Sequence, residues 1–177
     1  MKNVLILSSS PRKDGNSDLL CRQFEKGAIE AGHSVTYVRL AEKKIGYCMG
    51  CYACQNTGKC FQNDDMAELL EFTKKADVIV FATPVYFYTM SAQLKTYIDR
   101  LTPCYEDIRA DVYMIATAWD SNVENLKLTI ESIRGLTRDC FEDCEEKGVL
   151  IVEGVHKKGE VSNRNEMETA YLMGRNC

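Results

Sequence analysis

The chain has 177 residues, of which 45% are hydrophobic and 27% are charged, and only three are prolines. This length and composition predict one globular domain spanning residues 1–177, with a buried core, and exclude a disordered chain. The net charge of -4, without a basic stripe, argues against a nucleic-acid-binding surface, and the short apolar runs exclude a membrane span. Because the chain enters a predicted strand at once, without a signal peptide, we expect a cytoplasmic protein.

Hydrophobic periodicity predicts five strands that alternate with helices along the chain. We expect strands near residues 4–7, 35–40, 78–82, 112–116 and 149–152, and helices near 17–31, 66–73, 91–101, 123–133 and 167–171. Because right-handed crossovers place each helix over a sheet, this order predicts a doubly wound α/β fold with a parallel sheet and helices on both faces. Five strands fit the order 2-1-3-4-5, in which ligands bind outside the carboxyl ends of the strands.

Residues 8–17 follow the first strand and form a loop rich in hydrogen-bond donors. Such a loop ends at a helix N-terminus, where unpaired N–H groups and the helix dipole favour an anion, and Asn16 or Ser17 is placed to cap that helix. The side chains with donors suited to phosphate oxygens are Ser8, Ser10, Arg12 and Ser17. Neither common glycine-rich nucleotide motif is present, so the loop predicts a site for a mononucleotide phosphate. The alternative is an ordinary turn rich in capping residues.

Two more loops are expected at the same edge of the sheet. The loop at 83–89 follows a continuous apolar run, and its aromatic side chains and free backbone groups suit a flat heteroaromatic ring; it contains Thr83, Pro84, Val85, Tyr86, Phe87 and Tyr88. Alternatively, these aromatic residues cover helix ends or form a subunit interface. The loop at 117–120 contains the only tryptophan, Trp119, which is either a wall of the same pocket or simply packed.

Four of the nine cysteines form one block with the spacing C-x2-C-x2-C-x5-C, at Cys48, Cys51, Cys54 and Cys60. They lie in a predicted irregular insertion at about 46–63, and long insertions of this kind are usually functional. In a reducing cytoplasm a dense cysteine block more often binds metal or does redox chemistry than forms a disulfide framework. Structural zinc usually uses two separated cysteine pairs, so this block is a poorer zinc site.

Several segments resemble the flavodoxin-like NAD(P)H-dependent FMN reductases. The resemblance is dense over residues 1–101 and depends on the segments 8–12, 15–17, 64–66, 83–86, 91–95 and 98–100. It implies a flavodoxin-like fold that binds FMN, with the phosphate at Ser10, Arg12, Asn16 and Ser17. The isoalloxazine ring would lie against residues 84–88, and the third loop would close the site with Thr117, Ala118 and Trp119.

The resemblance also implies what the protein does. In such an enzyme a nicotinamide delivers hydride to the flavin, which passes electrons to a flavin, quinone or similar small-molecule acceptor. The flavin carries this chemistry, so we name no catalytic acid or base, and we expect both histidines at the surface. Family members usually form homodimers or homotetramers, which exposed aromatic residues at 86–88 would suit.

The cysteine block resembles the compact motif of the iron-sulfur flavoproteins, a branch of the same family with a [4Fe-4S] cluster beside FMN. A cubane needs four converging thiolates, and short spacers that contain Gly50 and Gly58 let one loop supply them. Zinc, a disulfide and free or redox-active thiols stay as alternatives. The alternative function is therefore an electron carrier that accepts electrons from a redox protein partner. The mild charge favours the enzyme, because carriers that dock by charge tend to have a strongly charged surface.

Overall fold

The computed structural model describes all 177 residues. Five parallel strands form one sheet in the order β2-β1-β3-β4-β5, which confirms the predicted architecture and strand order. The strands are β1 (Asn3–Ser8), β2 (Ser34–Arg39), β3 (Val78–Pro84), β4 (Asp111–Thr117) and β5 (Glu146–Val152). The helices are α1 (Asn16–Glu30), α2 (Ala53–Thr57), α3 (Met66–Lys75), α4 (Ala92–Asp99), α5 (Val123–Thr137) and α6 (Glu166–Arg175). None of these helices has both the length and the apolar surface needed to cross a membrane.

The sheet separates two apolar layers, because successive side chains of a strand point to opposite faces. On one face Ile79 and Phe81 of β3 pack with Leu94 of α4, together with buried residues of α3 and α5. On the other face Val78 and Val80 of the same strand pack with residues of α1 and α6. Both faces of β3 are therefore covered, which explains why its sequence is a continuous apolar run.

Helices α1 and α6 approach each other so closely that only glycine fits at two crossing points. A Cβ atom on Gly174 would lie 2.0 Å from the carbonyl oxygen of Phe24, and one on Gly27 would lie 2.1 Å from that of Tyr171. Both neighbours are backbone atoms, which cannot move aside as a flexible side chain would. The contact between the two helices therefore depends on these glycines.

Two predicted helix caps are wrong, and the side chains of Asn16 and Asp65 have other partners. Helix α1 has Gly15 at its N-cap without a side-chain cap, and the amide of Asn16 instead bonds to the Lys157 carbonyl and the Val161 N–H. Asp65 and Glu68 have the spacing that predicts a capping box at the start of α3, but no side-chain cap forms there, and Asp65 instead accepts a hydrogen bond from the Lys44 N–H. The side chains that sequence patterns assign to local caps thus join distant segments of the chain.

We predict that Gly174→Ala lowers the free energy of unfolding by about 1–3 kcal/mol, because the added methyl group overpacks the contact between α1 and α6. Gly135 is the matched control, since it also lies in a helix but a Cβ atom there meets nothing within 4 Å. Gly135→Ala should leave stability unchanged or raise it by up to about 1 kcal/mol, from helix propensity alone. Urea denaturation measures both variants, and equal stabilities for the two would contradict the prediction.

Candidate functional site

The loops that follow β1, β3 and β4 meet around a cavity of about 260 Å³, which we call the loop cavity. They meet because the carboxyl ends of parallel strands lie at one edge of the sheet. Most of the predicted cofactor-binding residues line this cavity: Ser10, Arg12, Asn16, Ser17, Pro84, Val85, Tyr86, Thr117, Ala118 and Trp119. The structure thus brings together three segments that are far apart in the sequence.

Four predicted binding residues do not line the loop cavity. The hydroxyl group of Ser8 is buried and donates to Asp18 Oδ1 at 2.8 Å, and that of Thr83 accepts from the Ser91 N–H at 2.9 Å. Phe87 and Tyr88 adopt left-handed backbone conformations in a tight turn outside the cavity, where Phe87 is fully exposed and Tyr88 is half exposed. The direction of each of these side chains is set by strand pairing or by turn geometry. Residue type alone does not predict either of them.

The start of α1 has the features of a phosphate site. The hydroxyl group of Ser17 is buried there and has no hydrogen-bond partner. A Cβ atom on Gly15 would lie 3.0 Å from the Arg12 carbonyl oxygen and 3.1 Å from Ser10 Oγ, so glycine keeps the turn tight and the helix N-terminus open. Since buried hydroxyl groups normally have a partner, an anion at the helix N-terminus would supply the one that Ser17 lacks. The residues present fit a phosphate group.

A segment near the C-terminus, residues 155–161, completes the loop cavity, and sequence analysis did not assign it to the site. Val155, His156 and Lys158 line the cavity, and the ring of His156 lies 5.3 Å from that of Trp119. The guanidinium of Arg12 donates to the His156 carbonyl at 2.9 Å, which ties this segment to the first loop. The positive charge of Lys158 suits an anion site, and this was the one feature of the sequence that pointed to the segment. No local pattern indicates that the segment folds back onto residues 8–17.

The buried carboxylate of Asp18 holds the loop at residues 8–17 in place through hydrogen bonds. Asp18 accepts hydrogen bonds from Ser8 Oγ, from Tyr37 Oη at 2.5 Å and from the Asp14 N–H at 2.9 Å, and it pairs with Arg39 at 2.6 Å. Burial alone would raise the pKa of Asp18, but these donors and the charge of Arg39 outweigh burial and hold it below its ordinary value. The loop is thus hydrogen-bonded to a carboxylate that stays charged near neutral pH.

The four cysteines of the block line a second cavity of about 480 Å³, which we call the cysteine cavity. It shares no lining residue with the loop cavity, and its far wall includes Cys140, from the segment that follows α5. All nine cysteines are unpaired, and no three histidine, cysteine or acidic side chains lie close enough together to hold one metal ion. In a cubane each thiolate binds a different iron, so the four sulfur atoms do not need to surround a single point. Four thiols that line one cavity are therefore the right type and number of ligands for a four-iron cluster, although no three of them are placed to hold one metal ion.

A buried ion pair closes the neck of the cysteine insertion. Asp64 accepts two hydrogen bonds from Arg100, at 2.7 and 3.0 Å, and a third from the Gly46 N–H at 2.9 Å. Burial alone would raise the pKa of Asp64, but the hydrogen bonds from Arg100 and from the backbone N–H groups of Gly46 and Met66 lower it overall. One guanidinium thus joins the two ends of the insertion.

The sheet order, with helices on both faces, defines a flavodoxin-like α/β protein. The family model for NADPH-dependent FMN reductase matches residues 2–122, which is more than half of the chain. The chain therefore belongs to the NADPH-dependent FMN reductase family, a family of oxidoreductases.

The curated relatives include several iron-sulfur flavoproteins. One from Archaeoglobus fulgidus is 43% identical over 103 residues, which cover 58% of this chain and 46% of the relative. One from Methanocaldococcus jannaschii is 42% identical over 100 residues, which cover 56% and 52%. The chain thus spans about half the length of these two relatives. Another from Archaeoglobus fulgidus is 33% identical over 134 residues, which cover 73% of this chain and 68% of the relative.

Solved structures share the fold at low sequence identity. The NAD(P)H:quinone oxidoreductase from Methanothermobacter marburgensis superposes with a TM-score of 0.75 at 21% identity, over 99% of this chain and 96% of that one. An azoreductase from Bacillus anthracis superposes with a TM-score of 0.74 at 17% identity, over the whole of both chains. At these identities the likeness concerns the fold alone.

The pKa of Asp18 predicts how stability depends on pH. Because its pKa is lower in the folded chain, its contribution is complete above the unfolded value of about 3.9 and is lost as the pH falls through the folded value. Asp18→Asn should therefore be less stable than the native chain near neutral pH, with a difference that shrinks from about pH 5 to pH 2. The measurement is urea denaturation at a series of pH values.

Asp107→Asn is the control, because Asp107 is exposed at the surface. It should follow the native pH profile closely. A constant difference between Asp18→Asn and the native chain at all pH values would show that the carboxylate charge contributes nothing.

Proposed function

We propose that the chain is an FMN-dependent oxidoreductase that takes hydride from NAD(P)H and reduces a flavin, quinone or similar small acceptor. The observation that carries this proposal is the loop cavity itself, with an unpartnered Ser17 hydroxyl group at the N-terminus of α1. Membership of the FMN reductase family supports the same cofactor. Bound FMN would supply the hydride and electron transfer, and the protein supplies binding and orientation.

The proposed phosphate site has one neutral and one cationic part. Ser10, Ser17 and the first N–H groups of α1 form the neutral part, in which donors surround the place of an anion. Arg12 and Lys158 line the same cavity and supply the positive charge. Lys158 lies 3.5 Å from the exposed Asp14, a solvent-screened pair that leaves its ammonium group free to turn towards a phosphate.

The proposed ring site is a wall made of two connected loops. The Val85 N–H donates to the Thr117 carbonyl at 2.8 Å, so the loops after β3 and β4 hold each other in place. Pro84, Val85 and Tyr86 form one side, and Trp119, which is 75% exposed, stands at the mouth. A rigid wall and an open mouth suit a bound flavin that must meet a nicotinamide and then an acceptor.

A homodimer or homotetramer belongs to the same proposal. Phe87 and Tyr88 project from the turn beside this wall, and their exposed rings offer apolar surface to a second copy of the chain.

We predict that Ser17→Ala weakens FMN binding by about tenfold, because a hydrogen bond to a charged phosphate contributes about 1.5 kcal/mol or more. Riboflavin, which lacks the phosphate, should bind the variant and the native chain equally. The stability of the FMN-free protein should not fall, since the hydroxyl group has no partner there. Fluorescence titration with both flavins and urea denaturation give the three results.

The cationic part is tested with two neighbouring lysines. Lys158→Met should weaken FMN binding several-fold without changing riboflavin binding, whereas Lys157→Met removes the same charge outside the cavity and should change neither. An equal loss of FMN and riboflavin in Ser17→Ala or Lys158→Met would contradict the proposed position of the phosphate.

The reductase activity predicts a direct result under anaerobic conditions. Protein loaded with FMN should lose its flavin absorbance when NADPH or NADH is added, and it should recover the absorbance when a quinone is then supplied. If neither nucleotide bleaches the bound flavin, the reductase proposal is wrong.

A second candidate function is electron transfer by an iron-sulfur flavoprotein that accepts electrons from a protein donor. It is favoured by the position of Cys48, Cys51, Cys54 and Cys60, which line one cavity, and by the relatives that carry this name. Iron analysis of protein purified without oxygen distinguishes the candidates. About four irons per chain would support the cluster, and flavin without iron would leave the reductase alone.

A further inference from the structure

Arg100, directly after α4, is a buried cation between the core and the cysteine cavity, with 2% of its surface exposed. Its Nη1 atom donates to the Gly46 carbonyl and to Asp64 Oδ2, both at 2.7 Å, and its Nη2 atom donates to Asp64 Oδ1 at 3.0 Å. Gly46 and Asp64 bracket the cysteine insertion. Both Nη groups are therefore used to close the neck of the loop.

The third nitrogen of this guanidinium has a different environment. Arg100 Nε is buried and has no hydrogen-bond partner, although Arg100 lines the cysteine cavity together with Cys60. Burial would lower the pKa of Arg100, but the hydrogen bond and the charge of Asp64 and, after them, Cys60 raise it overall. A buried N–H without a partner is uncommon in folded proteins, and here it belongs to a guanidinium that lines the same cavity as the four cysteines of the block.

We propose that Arg100 is the positioning residue of the cysteine cavity: its Nη groups clamp the neck of the insertion, and its Nε–H group donates to the sulfur of Cys60 when that sulfur carries metal. This inference rests on the second candidate function, the [4Fe-4S] cluster. It adds a residue outside the cysteine block, at the end of α4, which sequence spacing does not connect with the block.

The donor has a physical consequence for electron transfer. A hydrogen bond to a metal-bound sulfur stabilises the more negative, reduced state and so raises the reduction potential. Arginine suits both tasks, because its planar fork binds a carboxylate through two nitrogens and still presents a third. Lysine keeps the charge beside Asp64 but has no donor at the ε position.

Three substitutions of Arg100 separate the clamp from the donor. Arg100→Lys keeps the buried charge and loses the Nε donor. Arg100→Gln and Arg100→Met both lose the clamp and have similar length, but only glutamine retains an N–H group near the ε position. Arg39→Lys is the control, because Arg39 is another buried arginine paired with an aspartate, Asp18, and it lies outside the cysteine cavity.

The full chain and each variant are reconstituted anaerobically with ferrous iron and sulfide. Iron content, circular dichroism and the reduction potential from an anaerobic redox titration are then measured. We expect about four irons per native chain, a lower potential in Arg100→Lys than in the native chain and Arg39→Lys, and a higher potential in Arg100→Gln than in Arg100→Met. If the last two do not fold, Arg100→Lys decides the result.

Two results would overturn the inference, and they differ in what they overturn. If the native chain takes up iron and Arg100→Lys has the same reduction potential as the native chain, the role of Arg100 is refuted and the cluster stays in place. Native chain that takes up no iron would refute the cluster and, with it, the action of Arg100 on a metal-bound sulfur.

Discussion

The parallel alignment of β1, β3 and β4 is the constraint on which the rest of the structure depends. Because these strands run in one direction and are hydrogen-bonded side by side, their carboxyl ends lie at one edge of the sheet. The three following loops therefore share one cavity. Helices cover both faces of the sheet and so keep its strands buried. Where α1 crosses α6, the two helices are so close that only glycine fits between them.

Two buried pairs of arginine and aspartate fasten the loops that carry the proposed chemistry. Asp18 and Arg39 lie next to the loop at residues 8–17, whereas Asp64 and Arg100 close the neck of the cysteine insertion. Each carboxylate also accepts backbone N–H groups, so its charge is compensated in several directions at once. Loops fixed in this way keep their donors in position before a ligand arrives, which reduces the cost of binding.

The loop cavity and the cysteine cavity have no lining residue in common, and this separation organises the proposed functions. The first combines a helix N-terminus, hydroxyl groups and an aromatic mouth, which suit a mononucleotide. The second combines thiols, apolar side chains and one buried guanidinium, which suit a metal cluster. Hydride chemistry needs only the first cavity, and the electron-carrier alternative needs both.

The amino-acid sequence by itself determined the alternation of strands and helices and the loops that form the cavity, because periodicity and local polarity encode them. The strand order was expected only through the doubly wound fold class that this alternation predicts. The sequence also placed Ser10, Arg12 and Ser17 at a helix N-terminus. Only the tertiary structure decided which neighbours face the cavity: Ser8 turns to Asp18, Phe87 turns to solvent, and Lys158 returns from the far end of the chain. It likewise brought Arg100 to the cysteines. These outcomes depend on contacts between residues distant in sequence, which no local pattern records.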